Sequence, residues 1–305
     1  MAAPFTVRLD DPGHAAAGLE SMILADFDVA ARDWLSHFAG SSSIDFQINI
    51  APTAEGRAES APASLVAAGY DRGVPVYEPG TLHELATGVD VNGAAPDAVI
   101  TIDPSYLRQG LWIDPSPLDP ASPVPRDKVD LTSILRHELG HDLGIISAHS
   151  GQGPSPGWET TFDAHTAAIN GGEFFIGANA RAAYGGDVPV TTLPTAEAYS
   201  HLGNSLNEPA GQDVMNGVAF YMGTRYQVSP LDLAILEDIG APVAQPAVAA
   251  VTAPHSVQLG AGLAPETAAA HDGLDGSTAA DWQGRDHHLA RLATGAHADY
   301  HHYWG

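Results

Sequence analysis

The stretch Ile134–Ser147, "ILRHELGHDLGIIS", holds two histidines four residues apart, a glutamate beside the first and a glycine three residues after the second. Residues i and i+4 of a helix project from one face, so His137 and His141 can grip a single ion. Glu138 stands beside them, placed to exchange a proton with a water on that ion rather than to bind the ion itself. The helix carries its own signals. Asp127 or Asp130 can cap its start. Leu131, Leu135, Leu139 and Leu143 form a stripe for a core, the histidines fall on a different side, and Gly144 suits the stop. Two histidines do not complete a catalytic zinc site, which takes a third protein ligand and keeps one position open.

The rest of the chain narrows the chemistry. With 305 residues there is room for one large domain or two modest ones, and 44% hydrophobic residues is ordinary for a globular protein. The charge is not ordinary. Acidic residues number 37 against 12 basic ones, Lys128 is the only lysine, and the net charge is −25. That balance argues against nucleic acid or an anionic membrane surface as partner. No cysteine is present, which excludes disulfides, thiolate metal sites and cysteine nucleophiles and leaves nitrogen and oxygen to hold any zinc. The N-terminal "MAAPFTVRLDDPG" has neither a basic n-region nor an apolar h-region, and no apolar run approaches the ~18 residues of a membrane span. The expectation is a secreted protein exported by a route that uses no N-terminal Sec signal, with a cytoplasmic location as the alternative.

Periodicity places the elements around the histidine helix. Residues 15–38 read as one long amphipathic helix, with Leu19, Ile23, Phe27, Ala30, Trp34 and Phe38 on a common face. Residues 44–50, "IDFQINI", alternate as a half-buried strand. Residues 63–68 and 74–77 are weaker strand candidates, and 98–102, "AVITI", is a short apolar strand. The proline-rich "IDPSPLDPASPVP" of residues 113–125 is denied both helix and central-strand status. From Ser150 to Pro194 glycine and proline break the pattern, and irregular structure with a short helix around residues 160–169 is expected. Residues 229–239, "SPLDLAILEDI", form a short helix with Ser229 as N-cap and Pro230 at its first position. After Pro242 the composition turns rich in Ala, Gly and His. No internal repeat is present, and no Gly-Gly-x-Gly-x-Asp calcium repeat.

Four residues compete for the third ligand position. Ser147 lies where a compact H-E-x-x-H-x-x-G-x-x-H motif has its last histidine, but a hydroxyl is a poor zinc ligand at neutral pH. His149 misses that position by two residues. Glu159 opens "ETTFD", the E-x-x-x-D shape of metalloproteases whose third ligand is a glutamate on a second helix. It follows directly on "GPSPGW", and a carboxylate at a helix start is also a common structural feature. His201 lies in "EAYSHLGNSLNEPAGQDVMNG", fourteen residues before Met215 in what reads as a tight turn.

In the order of these pieces the chain resembles the metzincin metalloproteases. The resemblance rests on residues 134–147, 199–217 and 225–240. It implies His137, His141 and His201 as ligands of one catalytic zinc, Glu138 as general base, Met215 as the methionine of a turn beneath the metal, and residues 229–239 as the closing helix. The departure is the spacing, for residues 145–200 separate Gly144 from His201; members resembling leishmanolysin carry a long insertion at this place. A tyrosine that assists the oxyanion two residues after the methionine in some members is here Gly217, so this helper is either absent or supplied by Tyr221 or Tyr226. The implied fold is α+β, a mixed twisted sheet with long helices above a more irregular C-terminal subdomain. The strand at 98–102 would form the edge along which an extended peptide lies.

The expected organisation is a catalytic domain over residues 1–242 and a tail over 243–305, disordered or secretion-related, with seven histidines from His255 to His302. The expected activity is zinc-dependent endopeptidase, with a protein or peptide as substrate. Two alternatives stand beside it: a gluzincin-type peptidase ligated by Glu159, and a zinc-stabilised binding or adhesion domain without turnover. Calcium sites, oligomeric state and cleavage specificity are not legible in this sequence.

Overall fold

The structure is a computed structural model, described here over residues 4–39, 42–119, 121–149, 157–192 and 198–244. The tail from residue 245 onward, with its histidines, lies outside the described residues. The architecture is α+β, with several sheets and the helices distributed between them.

The principal sheet has the order β1-β2-β6-β3, built from β1 (Phe5–Asp10), β2 (Ile44–Ile50), β6 (Ala98–Ile102) and β3 (Ala58–Pro62). The first three run parallel and β3 runs antiparallel to β6. The alternation read in residues 44–50 is real: Ile44, Phe46, Ile48 and Ile50 are buried and the residues between them are half-buried. Helix α1 (Glu20–Leu35) packs on this sheet, with Phe27 edge-on to both Phe5 and Phe46. It is shorter than the periodicity implies. Gly18 has φ +80°, a left-handed turn that stops residues 15–17 from joining the helix.

Strands β4 (Leu65–Asp71) and β5 (Val74–Pro79) form a hairpin, extended by β9 (Glu159–Thr160) pairing parallel to β5, and α2 (Gly80–Thr87) follows. The short pair β7 (Leu111–Trp112) and β8 (Val129–Asp130) brackets the proline-rich connection. Then comes α3 (Leu131–Asp142), the histidine helix, with all twelve residues buried. Its N-cap is Asp130, which accepts from Ser133 N at 3.1 Å. Trp34 of α1 donates its indole N–H to Arg136 O at 2.9 Å and fixes the two long helices against each other.

Two expectations are corrected. Residues 98–102 do form a strand, but β6 is bonded on both sides, by β2 and β3, so it is not the edge. The edge beside the histidine helix is β3, whose Ser60 donates its hydroxyl to Glu138 O at 2.9 Å. Nor is the segment after the histidine helix irregular. It contains an antiparallel sheet of β10 (Thr166–Ile169), β11 (Gly172–Phe175) and β12 (Val188–Val190), with α4 (Ala178–Tyr184) between the last two. The short helix expected at 160–169 is a single 3-10 turn at Asp163–His165. These strands run for only three or four residues, too few for alternation to register.

The final helix α5 (Pro230–Asp238) matches its signals. Ser229 accepts from the Leu231 and Asp232 amides while Asp232 accepts from the Ser229 amide, a complete capping box. Beyond it the chain is tied back to the segment that follows α1, as Ala39 N donates to Pro242 O at 2.8 Å. Among the described residues no helix is long and apolar enough to cross a membrane.

Candidate metal centre

Helix α3 delivers His137 and His141 to one spot, and the segment after β12 brings in His201 from sixty residues further along the chain. The three Nε2 atoms form a nearly equilateral triangle: 3.0 Å from His141 to His137, 3.0 Å from His141 to His201 and 3.1 Å from His137 to His201. All three side chains are buried. Nitrogens this close all lie within reach of one ion at the usual metal–nitrogen distance of about 2.0–2.1 Å.

The ring orientations show what those nitrogens carry. His137 Nδ1 lies 2.6 Å from Val214 O, and His141 Nδ1 lies 2.7 Å from Ile145 O. A carbonyl oxygen only accepts, so both Nδ1 atoms hold a hydrogen and donate it. Burial holds both rings neutral. It drives His137 well below the ordinary histidine pKa, with His141 and His201 adding to the effect, and it lowers His141 to about 4. The backbone carbonyls oppose these shifts without reversing them. A neutral ring with hydrogen on Nδ1 presents a lone pair at Nε2, so His137 and His141 turn lone pairs toward each other at 3.0 Å. That is not a hydrogen bond. It is the arrangement a shared cation stabilises, with each Nδ1–H held by a backbone oxygen as metal-ligating histidines commonly are.

His201 is placed by backbone pairing. Thr191 N donates to His201 O, and Leu202 N donates to Met215 O, both at 2.8 Å. Gly217 N returns to Leu202 O at 3.1 Å. The residue before Ser200 and His201, Tyr199, has φ +77°, a left-handed conformation that a non-glycine residue adopts at a cost of about 1–3 kcal/mol. The turn of residues 213–216 therefore does two jobs. Val214 orients the first histidine, and Met215 is bonded to Leu202, the residue after the third.

Met215 is fully buried against α3. A Cβ on Gly140 would stand 2.8 Å from Met215 Cε, closer still to its Sδ, and 3.2 Å from Trp34 Cζ2. Gly140 is thus the helix residue that lets the methionine turn approach. Gly217 has the same role on the other side, since a Cβ there would meet Thr191 Oγ1 at 2.6 Å and His201 Cβ at 2.8 Å. A side chain of any kind at position 217 would need those neighbours to shift. Of the proposed substitutes, Tyr221 is 42% exposed, and the Tyr226 hydroxyl accepts from Tyr221 N and donates to Ala219 O.

The other ligand candidates are engaged elsewhere. Ser147 donates its hydroxyl to Asp163 at 2.5 Å, and its amide donates to Ser200 Oγ at 3.1 Å. Glu159 sits on β9 beside β5, outside the histidine group. His149 packs its ring 6.3 Å from that of Tyr199. Sequence reading missed the two orienting carbonyls, which have no side-chain signature. It also passed over Gly140, although a glycine inside a helix otherwise costs about 1 kcal/mol and signals close packing. Comparison with known proteins gave no match: no family model, no curated protein and no solved structure aligned with this chain.

Proposed function

We propose that the chain is a zinc-dependent endopeptidase of metzincin-like build, with His137, His141 and His201 holding the ion and Glu138 acting as general base. The observation that carries this reading is the buried triangle of three Nε2 atoms about 3 Å apart, two of them on the helix that carries Glu138 next to His137. Structural zinc sites usually close with four protein ligands, whereas catalytic ones use three and leave a position for water or substrate. The group has three protein donors among the described residues, all imidazoles, a donor set that suits zinc. When bound, zinc lowers the pKa of a coordinated water to about 7 and polarises a carbonyl.

The protein's own residues do the rest. Glu138, 1% exposed and anchored through its backbone by Ser60, takes the proton of the attacking water on its carboxylate and passes it to the leaving amine nitrogen. Val214 O and Ile145 O keep the two helix histidines in the ligating tautomer. Met215 holds the 213–216 turn, with its Val214 carbonyl on His137, against Gly140. The antiparallel edge β3 lies beside Glu138 and offers its backbone to an extended peptide. An exported protein with net charge −25 belongs to the same reading.

Zinc content and casein cleavage in four proteins test it. Glu138→Ala should keep its zinc and lose cleavage by about 10²–10⁴-fold. His201→Ala should lose the zinc and Glu159→Ala should keep it. Metal lost only in Glu159→Ala would establish the gluzincin ligand set instead. A zinc-loaded parent that cuts nothing on a broad substrate panel would make the chain a zinc-stabilised binding domain.

A further inference from the structure

Two residues that competed for the metal and lost, His149 and Glu159, line one cleft of about 380 Å³. Its remaining walls include Tyr199, Val190, Asp163 and Glu173. That size is at the lower end of small-molecule sites, which run to about 300–1,000 Å³, and leaves room for one long side chain.

The cleft is built onto the metal centre. Val190 and Tyr199 belong to the backbone pairing that carries His201: Tyr199 N donates to Thr191 O at 2.8 Å, and Val190 bridges to Leu202. The facing wall hangs from the chain leaving the histidine helix, where Ser147 Oγ and Ala148 N donate to the two carboxylate oxygens of Asp163 at 2.5 and 2.8 Å. A third donor, Thr160 N, reaches Asp163 at 2.9 Å. Asp163 is therefore spent on holding the wall.

Glu159 is not spent. Its Oε2 is buried and has no hydrogen-bond partner among the described residues. Burial, reinforced by Asp163 and Asp71, raises its pKa, while His149 and Arg72 act the other way. The cleft's one guanidinium, Arg72, is exposed and bonded to Asp71 at 2.7 Å. Three carboxylates thus line the cavity against one arginine among its described residues, Arg72, which is exposed, bonded to Asp71 and felt only at a distance by Glu159. A carboxylate oxygen withdrawn from water with nothing to accept from is stabilised by a cationic donor.

We propose that this cleft receives a lysine or arginine side chain of the peptide substrate, with Glu159 as the residue that selects its charge. The proposal rests on the endopeptidase reading, and it deepens that reading to a substrate class. Selection here is for the cation over a neutral side chain of equal shape.

The experiment has two arms. In the first, the zinc-loaded parent and Glu159→Gln digest a randomised peptide library; the parent should enrich Lys and Arg at one position flanking the cut, and Glu159→Gln should lose most of that enrichment. In the second, Nα-acetyl-arginine amide and its neutral isostere, Nα-acetyl-citrulline amide, are titrated by NMR into zinc-loaded Glu138→Gln protein. The arginine compound should bind about tenfold or more tightly, with shifts at His149 and Tyr199, and the gap should close when Glu159→Gln is added. Equal binding of the two amides, or a preference that survives Glu159→Gln, overturns the proposal. A library left uncut by the parent overturns the peptidase reading alone, because the titration reads the cleft without turnover. Glu159 Oε2 accepts no bond among the described residues, so Glu159→Gln should melt within a few degrees of the parent, and Glu173→Gln serves as a second variant should it not.

Discussion

Adding one methyl group to the histidine helix tests how the metal centre is supported. Gly140→Ala should stabilise an isolated helix by about 1 kcal/mol. In this structure the new Cβ would stand 2.8 Å from Met215 Cε, and nearer to Sδ, where ordinary contact begins at 3.4 Å. Trp34 at 3.2 Å closes the other side. The thioether must retreat by about 1 Å inside a packed interior, an overpacking cost of about 1–3 kcal/mol. The methionine is flexible, but its backbone is not free. Met215 O accepts from Leu202 N, and the neighbouring Val214 O accepts from His137 Nδ1 at 2.6 Å. Pushing the turn back by 1 Å would take that 2.6 Å contact beyond hydrogen-bond range. Loss of such an orienting bond typically lowers metal affinity about 10–100-fold. The expected outcome is a metal-free protein destabilised by roughly 0–2 kcal/mol, as overpacking less helix gain, and zinc affinity reduced at least tenfold. Urea unfolding of the chelated protein and competition with a fluorescent zinc chelator measure the two. In Gly140→Ala/Met215→Ala the added methyl has room, so the two single losses should not add. Unchanged zinc affinity with a stability gain near 1 kcal/mol would refute the reasoning, since it would mean that the methionine turn does not lean on the helix.

Gly217→Ala should have a similar effect from the other face: its Cβ would meet His201 Cβ at 2.8 Å, so zinc affinity measured by the same competition should fall at least tenfold while α3 stays intact by circular dichroism. Ser147→His in a His201→Ala background should not restore zinc content, because position 147 is buried and bonded through its side chain to Asp163, and a compact three-histidine motif is not available from it. Glu84 provides a pH test. Its pKa is raised from 4.5 to about 7 by burial and by the charges of Asp97, Asp90 and Asp45. Below pH 4.5 both folded and unfolded chains hold this proton; between 4.5 and 7 only the folded chain does, so the contribution is lost as pH rises and is fully gone above 7. Glu84→Gln should therefore match the parent near pH 4 and exceed it at pH 8 by up to about 3 kcal/mol in chelated protein, read by urea unfolding at the two pH values. Equal stability at pH 8 would remove the carboxylate crowding from the account.

Much of this protein was legible one residue at a time. The helix with His137, Glu138 and His141, its Asp130 cap, its leucine stripe and its Gly144 stop all follow from contacts within four residues, and so does the capping box of α5. Strands β2 and β6 were legible because five to seven residues suffice to show their pattern. What sequence alone could not decide is where those strands lie in the sheet. Whether 98–102 is an edge depends on Ala58–Pro62, a strand with no clear signature that pairs with it from forty residues away. The strands of the insertion are hidden for the same reason, being too short to show a period and held by each other.

The third ligand is the sharpest case. Ser147, His149, Glu159 and His201 are four chemically reasonable choices in a line of text, and their ranking there leaned on a resemblance. Tertiary structure separates them by position. His201 stands 3.0 Å from His141 because two backbone pairings, to Thr191 and to Met215, carry it there. Ser147 and Glu159 are drawn off by Asp163 and by β5. Local interactions fix a helix and its face. The distance between residues sixty positions apart is set by the whole set of pairings between them, and no shorter piece of the chain contains it.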